Sequence, residues 1–362
     1  MAIPADAVAL ADYERLVRER LDPAVLAWLD GGAADELTLR ANRAAWDGLA
    51  LWPRVLRPLA GGHTRVELLG RTLAWPLLIA PVAFQRLAHP LGELGTAIAA
   101  AAQGAGMVVS TQSSVAVEEI ARAVHADAGR GPLWFQLYWQ ADRGANRALV
   151  ERAEAAGCEA IVLTVDAPVN GARDRERRAG FRLPPGISAA HLDGIVPAAS
   201  PAGASLFDGL LRHAPTWADV EWLRTATRLP VVLKGVLQPD DARQAATLGA
   251  DALIVSNHGG RTLDGAPATA RVLPRVADAV GARLPLLVDG GVRRGTDIAK
   301  ALALGARAVL IGRPAVHALA VAGPHGVAHA LKLLRDEFEI ALALTGCAFP
   351  GELSAASIFE AD

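Results

Sequence analysis

Eight apolar runs of strand length recur along the chain, separated mostly by Ala-rich segments of helical period. LLIAPVAF (77–84), MVVST (107–111), LWFQLYW (133–139) and AIVLTVD (160–166) come first, and PVVLKGV (230–236), ALIVSN (252–257), PLLVDGG (285–291) and AVLIGR (308–313) complete the set. Most are continuous rather than alternating, as strands buried on both faces should be. The intervening pattern predicts helices over 92–104, 116–125, 143–156, 217–228, 239–248, 269–280 and 296–304. Gly106, Gly157, Gly249 and Gly305 act as helix stops before the next strand, and Asp240 and Asp297 suit first-turn positions. Eight strand–helix units between 77 and 313 predict an α/β fold, a (β/α)8 TIM barrel. An open, doubly wound sheet is the rival architecture.

Two parts lie outside the repeat. Residues 1–76 predict short helices (6–20, 23–30, 35–47) and then a β-hairpin around 64–75, a cap on the barrel rather than a second domain. The whole of 1–362 therefore reads as one domain. The connection after the fourth strand, 167–216, far exceeds an ordinary βα loop. It holds Pro184, Pro185, Gly186, Pro197, Pro201 and the charged run Arg173 to Arg178. Such a loop at the carboxyl ends of the strands is a candidate lid, with a tolerated insertion as the alternative.

Composition narrows the partners. The 362 residues are 52% hydrophobic and 20% charged, a core-forming balance. A net charge of −2 lacks the basic excess of a nucleic-acid binder. Two cysteines, Cys158 and Cys347, cannot build a disulfide framework. The opening MAIPADAVALADYERL is acidic where a signal peptide is basic and then apolar. The uncharged stretch 314–331 is too polar for a membrane span, and the ending IFEAD is not a peroxisomal address. A cytoplasmic protein with neither nucleic-acid nor membrane partner is expected.

The candidate chemistry sits where barrel enzymes keep it, at the carboxyl ends of the strands. Those ends carry Ser110 and Thr111, Gln136 and Tyr138, Thr164 and Asp166, Lys234, Ser256-Asn257-His258, Asp289-Gly290-Gly291 and Gly312-Arg313. Burying so many polar groups unpaired is costly, which implies one large ligand spanning many strands. Gly290, Gly291 and Gly312, with Arg293 and Arg313 beside them, have the composition of a phosphate site. Only Lys234, Lys300 and Lys332 are lysines, and Lys234 lies inside an apolar strand, where a lysine needs an anion or a polarised cofactor atom. His258 and Arg261 lie three apart in SNHGGRTLDG; an imidazole can take a proton while a guanidinium holds a carboxylate. Asp166 is placed to bond the histidine. His325 and His329 have i,i+4 spacing but lack the glutamate of a metalloprotease helix, so no metal is expected.

On GGAADELTLRANRAAW (31–46), IAPVAFQRLAHPLGE (79–93), WFQLYW (134–139), LTVDAP (163–168), VVLKGV (231–236), SNHGGRTLDG (256–265) and DGGVRRGTDIAKALALGARAVLIGRP (289–314), the chain resembles the FMN-dependent 2-hydroxy acid oxidase and dehydrogenase family. That family includes glycolate, lactate and mandelate-oxidising enzymes. APVAFQRLAHP together with QLYW is closest in look to the 4-hydroxymandelate oxidase branch. The resemblance implies FMN across the barrel mouth, with Pro81, Val82 and Ala83 lining the flavin and Ser110, Gln136, Thr164 and Ser256 bonding ring or ribityl chain. It implies Lys234 at the N1/C2 edge, and Asp289, Gly290, Gly291, Arg293, Gly312 and Arg313 on ribityl and phosphate. Arg173 and Arg261 would clamp the substrate carboxylate, Tyr138 would bond the substrate, and His258 would be the base. Trp28 stands where the family usually has a tyrosine, and Gln112 where plant glycolate oxidases have tryptophan, which argues for a substrate larger than glycolate. The expected reaction is oxidation of an (S)-2-hydroxy acid by O2, giving peroxide, in a homotetramer. A dehydrogenase using a quinone, an isomerase of the isopentenyl diphosphate type and a non-catalytic flavin binder are the alternatives.

Overall fold

The structure is a computed structural model and describes residues 2–195 and 203–359. Its centre is a closed barrel of eight parallel strands in sequence order. These are β1 (Leu77–Ile79), β2 (Gly106–Ser110), β3 (Leu133–Leu137), β4 (Ile161–Thr164), β5 (Val231–Lys234), β6 (Ala252–Val255), β7 (Leu286–Val288) and β8 (Ala306–Ile311). Closure removes the open edges that the rival sheet would have left. The ladders are shorter than the apolar runs. In LLIAPVAF only three residues pair, because Pro81 has no N–H to give a ladder and Phe84 turns into a left-handed conformation at φ +50°.

Side chains along a strand alternate between faces, and the core divides accordingly. Leu77, Ile79, Val109, Phe135, Leu163, Leu233, Val255 and Val309 face the surrounding helices. Leu78, Val108, Trp134, Val162, Val232, Ile254, Leu287 and Leu310 form a separate cluster inside the barrel. Two residues further along, the same inward parity falls on Ala80 in the first strand and on Ser110, Gln136, Thr164, Lys234, Ser256, Asp289 and Gly312 in the other seven. The polar ends thus continue the barrel's own inner stripe into its mouth. At the opposite end, the hairpin Val66–Leu68/Arg71–Leu73 inserts Leu68 and Leu73 into the inner cluster and plugs the barrel.

The cap helices are α1 (Leu10–Leu16), α2 (Pro23–Asp30) and α3 (Leu37–Asp47). α1 starts later than the expected 6–20 because Asp12 accepts from the amides of Val8 and Ala9, fixing the entry turn; it continues as one 3-10 turn, Val17–Glu19. α3 begins after Glu36, which is left-handed at φ +60°. Among the described residues of the candidate lid only Asp174–Arg178 is helical before the 3-10 turn at its end; 196–202, with Pro197 and Pro201, lie outside the described residues. Beyond β8 the sequence pattern had suggested no element, yet Arg313–Leu344 is helical, broken at Ala322 and Gly323. Near the C-terminus, Ile358–Phe359 pairs antiparallel with Ala50–Leu51. Among the described residues no helix is long and apolar enough to cross a membrane.

Candidate active site

One open cavity of ≈ 990 Å³, counting the space at its mouth, occupies the carboxyl end of the barrel. Its wall includes Pro81, Val82, Ala83, Ser110, Thr164, Lys234, Asp289, Gly290, Gly291, Arg293, Gly312 and Arg313. Trp28, Gln112, Tyr138, Arg173, His258 and Arg261 line it as well. Most of the sequence-derived set is thus gathered from strand ends and loops spread around the barrel, with Gln136, Asp166 and Ser256 outside the lining.

Asp166, His258 and Tyr138 make a continuous line. His258 Nδ1–H donates to Asp166 Oδ1 at 2.9 Å, because an ionised carboxylate can only accept. That fixes the tautomer and leaves the Nε2 lone pair toward Tyr138, whose O–H reaches it at 3.2 Å. Burial opposes the Asp166 carboxylate, but His258 and Lys234 outweigh it and hold its pKa below the ordinary value. Burial pushes the His258 imidazole down, against the pull of Asp166, so the ring is neutral near pH 7. Burial also raises the Tyr138 phenol, which stays protonated. A neutral imidazole with one free lone pair and a carboxylate behind it is a general base whose cation is stabilised once formed.

Lys234 is almost fully buried. Its Nζ donates to Ser256 Oγ at 2.9 Å and lies 3.1 Å from Asp289 Oδ2. Burial lowers its affinity for a proton, yet Asp289 and Asp166 outweigh burial and raise the pKa. Two of its three N–H donors are accounted for, leaving one on the cavity wall. Asp289 Oδ1 is buried with no protein partner.

The glycines form a cradle. Gly290 and Gly291 have φ of +89° and +86°, and a Cβ on Gly291 would stand 2.7 Å from the Asn42 carbonyl. Arg313 donates to the carbonyls of Leu29 (3.0 Å), Gly259 (3.0 Å) and Gly31 (3.2 Å). Burial and the neighbouring Arg293 press its pKa down to about 10. Burial and Arg313 likewise press Arg261 to about 9. Arginine keeps its proton in proteins, so these depressions express positive charge short of an anion. A phosphate suits the Arg293–Arg313 end, and a carboxylate suits Arg261. The orphaned Asp289 oxygen and the spare Lys234 donor suit a polar, hydrogen-bonding group between them. The residues present fit FMN.

Three expectations change in detail. Gln136 was expected on the cofactor, but it does not line the cavity. Its amide accepts from Ser110 Oγ and Thr111 N and donates to Thr164 Oγ1, so it braces the wall from behind. Ser256 is likewise set back, tying Lys234 Nζ to the His258 amide. Arg173 lines the cavity but leans on Asn170 (3.2 Å) and Glu176 (3.5 Å), with its Nε buried and unbonded. Residues the sequence reading missed are Leu29 and Gly31, whose carbonyls receive both Arg261 and Arg313. Phe84 and Phe181, whose rings flank Trp28 at 6.2 and 5.5 Å, were missed too. Carbonyls carry no side-chain signal, and an aromatic in a loop carries no period.

Residues 17–360 match the family described as FMN-dependent dehydrogenase. The chain belongs to that family. FMN is therefore its cofactor. Relatives of the chain include an L-lactate oxidase of Alicycliphilus denitrificans, 52% identical over 93% of this chain and 92% of that protein. A 4-hydroxymandelate oxidase of Amycolatopsis orientalis is 47% identical over 94% and 95%. A crystal structure of mandelate oxidase with (S)-2-phenylpropionate superposes with TM-score 0.88 at 45% identity, covering 97% of this chain and 98% of that one. The FMN-dependent dehydrogenase fold thus extends over the cap and the barrel together.

Proposed function

We propose that the protein oxidises an (S)-2-hydroxy acid to the 2-oxo acid with O2 as acceptor: R–CHOH–COO⁻ + O2 → R–CO–COO⁻ + H2O2. The observation that carries this reading is the Asp166–His258–Tyr138 line facing a cavity whose wall also holds Arg261 and Arg173. The oxidase names of the relatives support the choice of O2. Bound FMN supplies the two-electron acceptor. Pro81, Val82, Ala83, Ser110, Thr164 and Lys234 would hold its ring and ribityl chain, and Gly290, Gly291, Arg293, Gly312 and Arg313 its phosphate, with Asp289 on the ribityl. Arg261 and Arg173 bind the substrate carboxylate, and Tyr138 bonds the substrate beside it. His258 Nε2 takes the proton the substrate loses, and Asp166 stabilises the imidazolium.

Trp28 lines the cavity with Phe84 and Phe181 packed beside its ring, an aromatic corner that supports a substrate larger than glycolate, mandelate-like first and medium aliphatic second. The exposed apolar residues Trp52, Val55, Leu56 and Leu344 support assembly into a homotetramer. Two buried free thiols, Cys158 and Cys347, suit a cytoplasmic enzyme. A peroxide-release screen over glycolate, lactate, 2-hydroxyoctanoate and (S)-mandelate tests the reaction. We expect peroxide in proportion to 2-oxo acid, with glycolate poorest; bleaching of the flavin without peroxide formation in air would contradict the oxidase assignment.

A further inference from the structure

The last turn of α2, residues 28–31 with Gly31 as its cap, is shared by two arginines of the site. Arg261 Nη1 donates to the carbonyls of Trp28 (2.8 Å), Leu29 (3.2 Å) and Gly31 (2.7 Å). Arg313 donates to Leu29 and Gly31 as well. Two like charges therefore sit together and are held by the neutral acceptors of one short segment. The residue in the middle of that segment is Asp30. Its Oδ1 accepts from His317 Nε2–H at 2.7 Å. His317 lies one helical turn beyond Arg313, so both project from the same face of the terminal helix.

We propose that Asp30 and His317 are positioning residues, which lock the 28–31 turn and thereby set Arg261 for the substrate carboxylate and Arg313 for the cofactor phosphate. The proposal rests on the functional reading above and extends it to two residues that touch neither ligand. His317 is 1% exposed, and its Nδ1 is buried without a partner. Among the described residues the Asp30 bond is thus the only polar contact of a buried ring, which a helix packed for stability alone would fill with an apolar side chain. Burial opposes the Asp30 carboxylate, while His317, Arg313 and Arg175 outweigh it and keep it ionised. The turn is also tight: a Cβ on Gly31 would stand 2.5 Å from the Ala27 carbonyl. Holding Asp30 fixes the peptide planes on either side of it, and with them the direction of the carbonyls that seat both arginines. One bond remote from the chemistry thus serves two subsites.

The test uses the holoprotein and three readouts: affinity for phenylacetate, a carboxylate without a hydroxyl to oxidise, followed through the flavin spectrum; the rate of FMN release on dilution; and KM against kcat. In His317→Leu we expect phenylacetate affinity about 10-fold weaker, KM raised similarly, FMN released several-fold faster, and kcat within about 2-fold, the scale of one lost buried hydrogen bond. His317→Gln retains a donor and should recover most of the loss. Wild-type phenylacetate affinity and FMN retention in His317→Leu would overturn the proposal, and so would equal impairment in Leu and Gln. Should His317→Leu fail to fold, Asp30→Ala carries the same expectations, and unchanged affinities there overturn it. Phenylacetate binding and FMN release need no turnover, so a wild-type chain that oxidised no hydroxy acid would refute the functional reading separately.

Discussion

His258 occupies a left-handed backbone conformation at φ +57°, followed by Gly259 at +61° and Gly260 at +76°. Left-handed backbone is uncommon for a non-glycine residue; here it accompanies the bond from Nδ1 to Asp166 and an Nε2 that meets the Tyr138 hydroxyl. A base acts only when neutral, and burial sets its pKa below the usual 6.5. The rate of anaerobic flavin bleaching should therefore rise with pH through an inflection below 6.5 and be flat above pH 7; a limb still rising above pH 8 would contradict a neutral His258. Gly235 gives a second check, because a Cβ there, at φ +110°, would lie 2.4 Å from Asp166 Cβ. Gly235→Ala should slow bleaching by about 100-fold, the scale of an ångström's misplacement, while FMN stays bound. An undiminished rate would show that the position of Asp166 does not matter. His258, Asp166 and Lys234 were legible because their chemistry is rare inside an apolar strand repeat. Gln136 was legible as inward-facing, but its bonds to Ser110 and Thr164 were not, since those partners lie on neighbouring strands. The Asp30–His317 bond joins residues 287 apart and left no trace in any local pattern.

Elements were read best where period and length agreed. The eight strands and seven intervening helices follow from repeated apolar runs and glycine stops; most ends move by a residue or two, but the first strand stops five residues early before Pro81, the seventh three residues early, and Gly106 opens a strand instead of stopping a helix. The helix Asp174–Arg178 escaped because five residues are too few to show a 3.6 period, and it carries little apolar content. The long connection after β4 was visible from its length, and the place of Arg173 in the cavity wall was expected from the family resemblance, but the packing of Phe181 was not. Phe181, just beyond that short helix, stacks on Trp28 at 5.5 Å and 25°, while Arg261 lies 5.6 Å from the Trp28 ring. The candidate lid therefore meets the pocket twice, with Arg173 in its wall and Phe181 behind Trp28. Phe181→Ala should raise KM for (S)-mandelate by about 5-fold, within the range for an aromatic pair, and change KM for lactate far less. Equal effects on both would remove Phe181 from substrate selection.

The described residues form a barrel with a plug at one end and a cap at the other. α3 is fastened to the strand ends by a reciprocal amide pair, Asn42 with Asn257, at 2.8 Å in each direction. Arg43 adds a salt bridge to the almost fully buried Asp297. Because cap and strand ends both contribute to the cavity, FMN should join them: at 100 times Kd the bound cofactor adds about 2.7 kcal/mol. Removing FMN should lower the thermal midpoint, and Gly291→Ala should yield protein that neither holds FMN nor gains stability from it; identical midpoints with and without FMN would contradict that coupling. The barrel was legible as a whole because closure follows from eight consecutive units, whereas the terminal helix Arg313–Leu344 lay beyond the last strand and its pattern is interrupted at Gly323. The most direct measurement is anaerobic mixing of the purified yellow protein with (S)-mandelate and lactate, in wild type and in His258→Ala. The wild-type flavin should bleach within the turnover time, and the variant, still holding FMN, at least about 1,000-fold more slowly. Bleaching at equal rates in the two proteins, or none in the wild type with any hydroxy acid, would contradict the account.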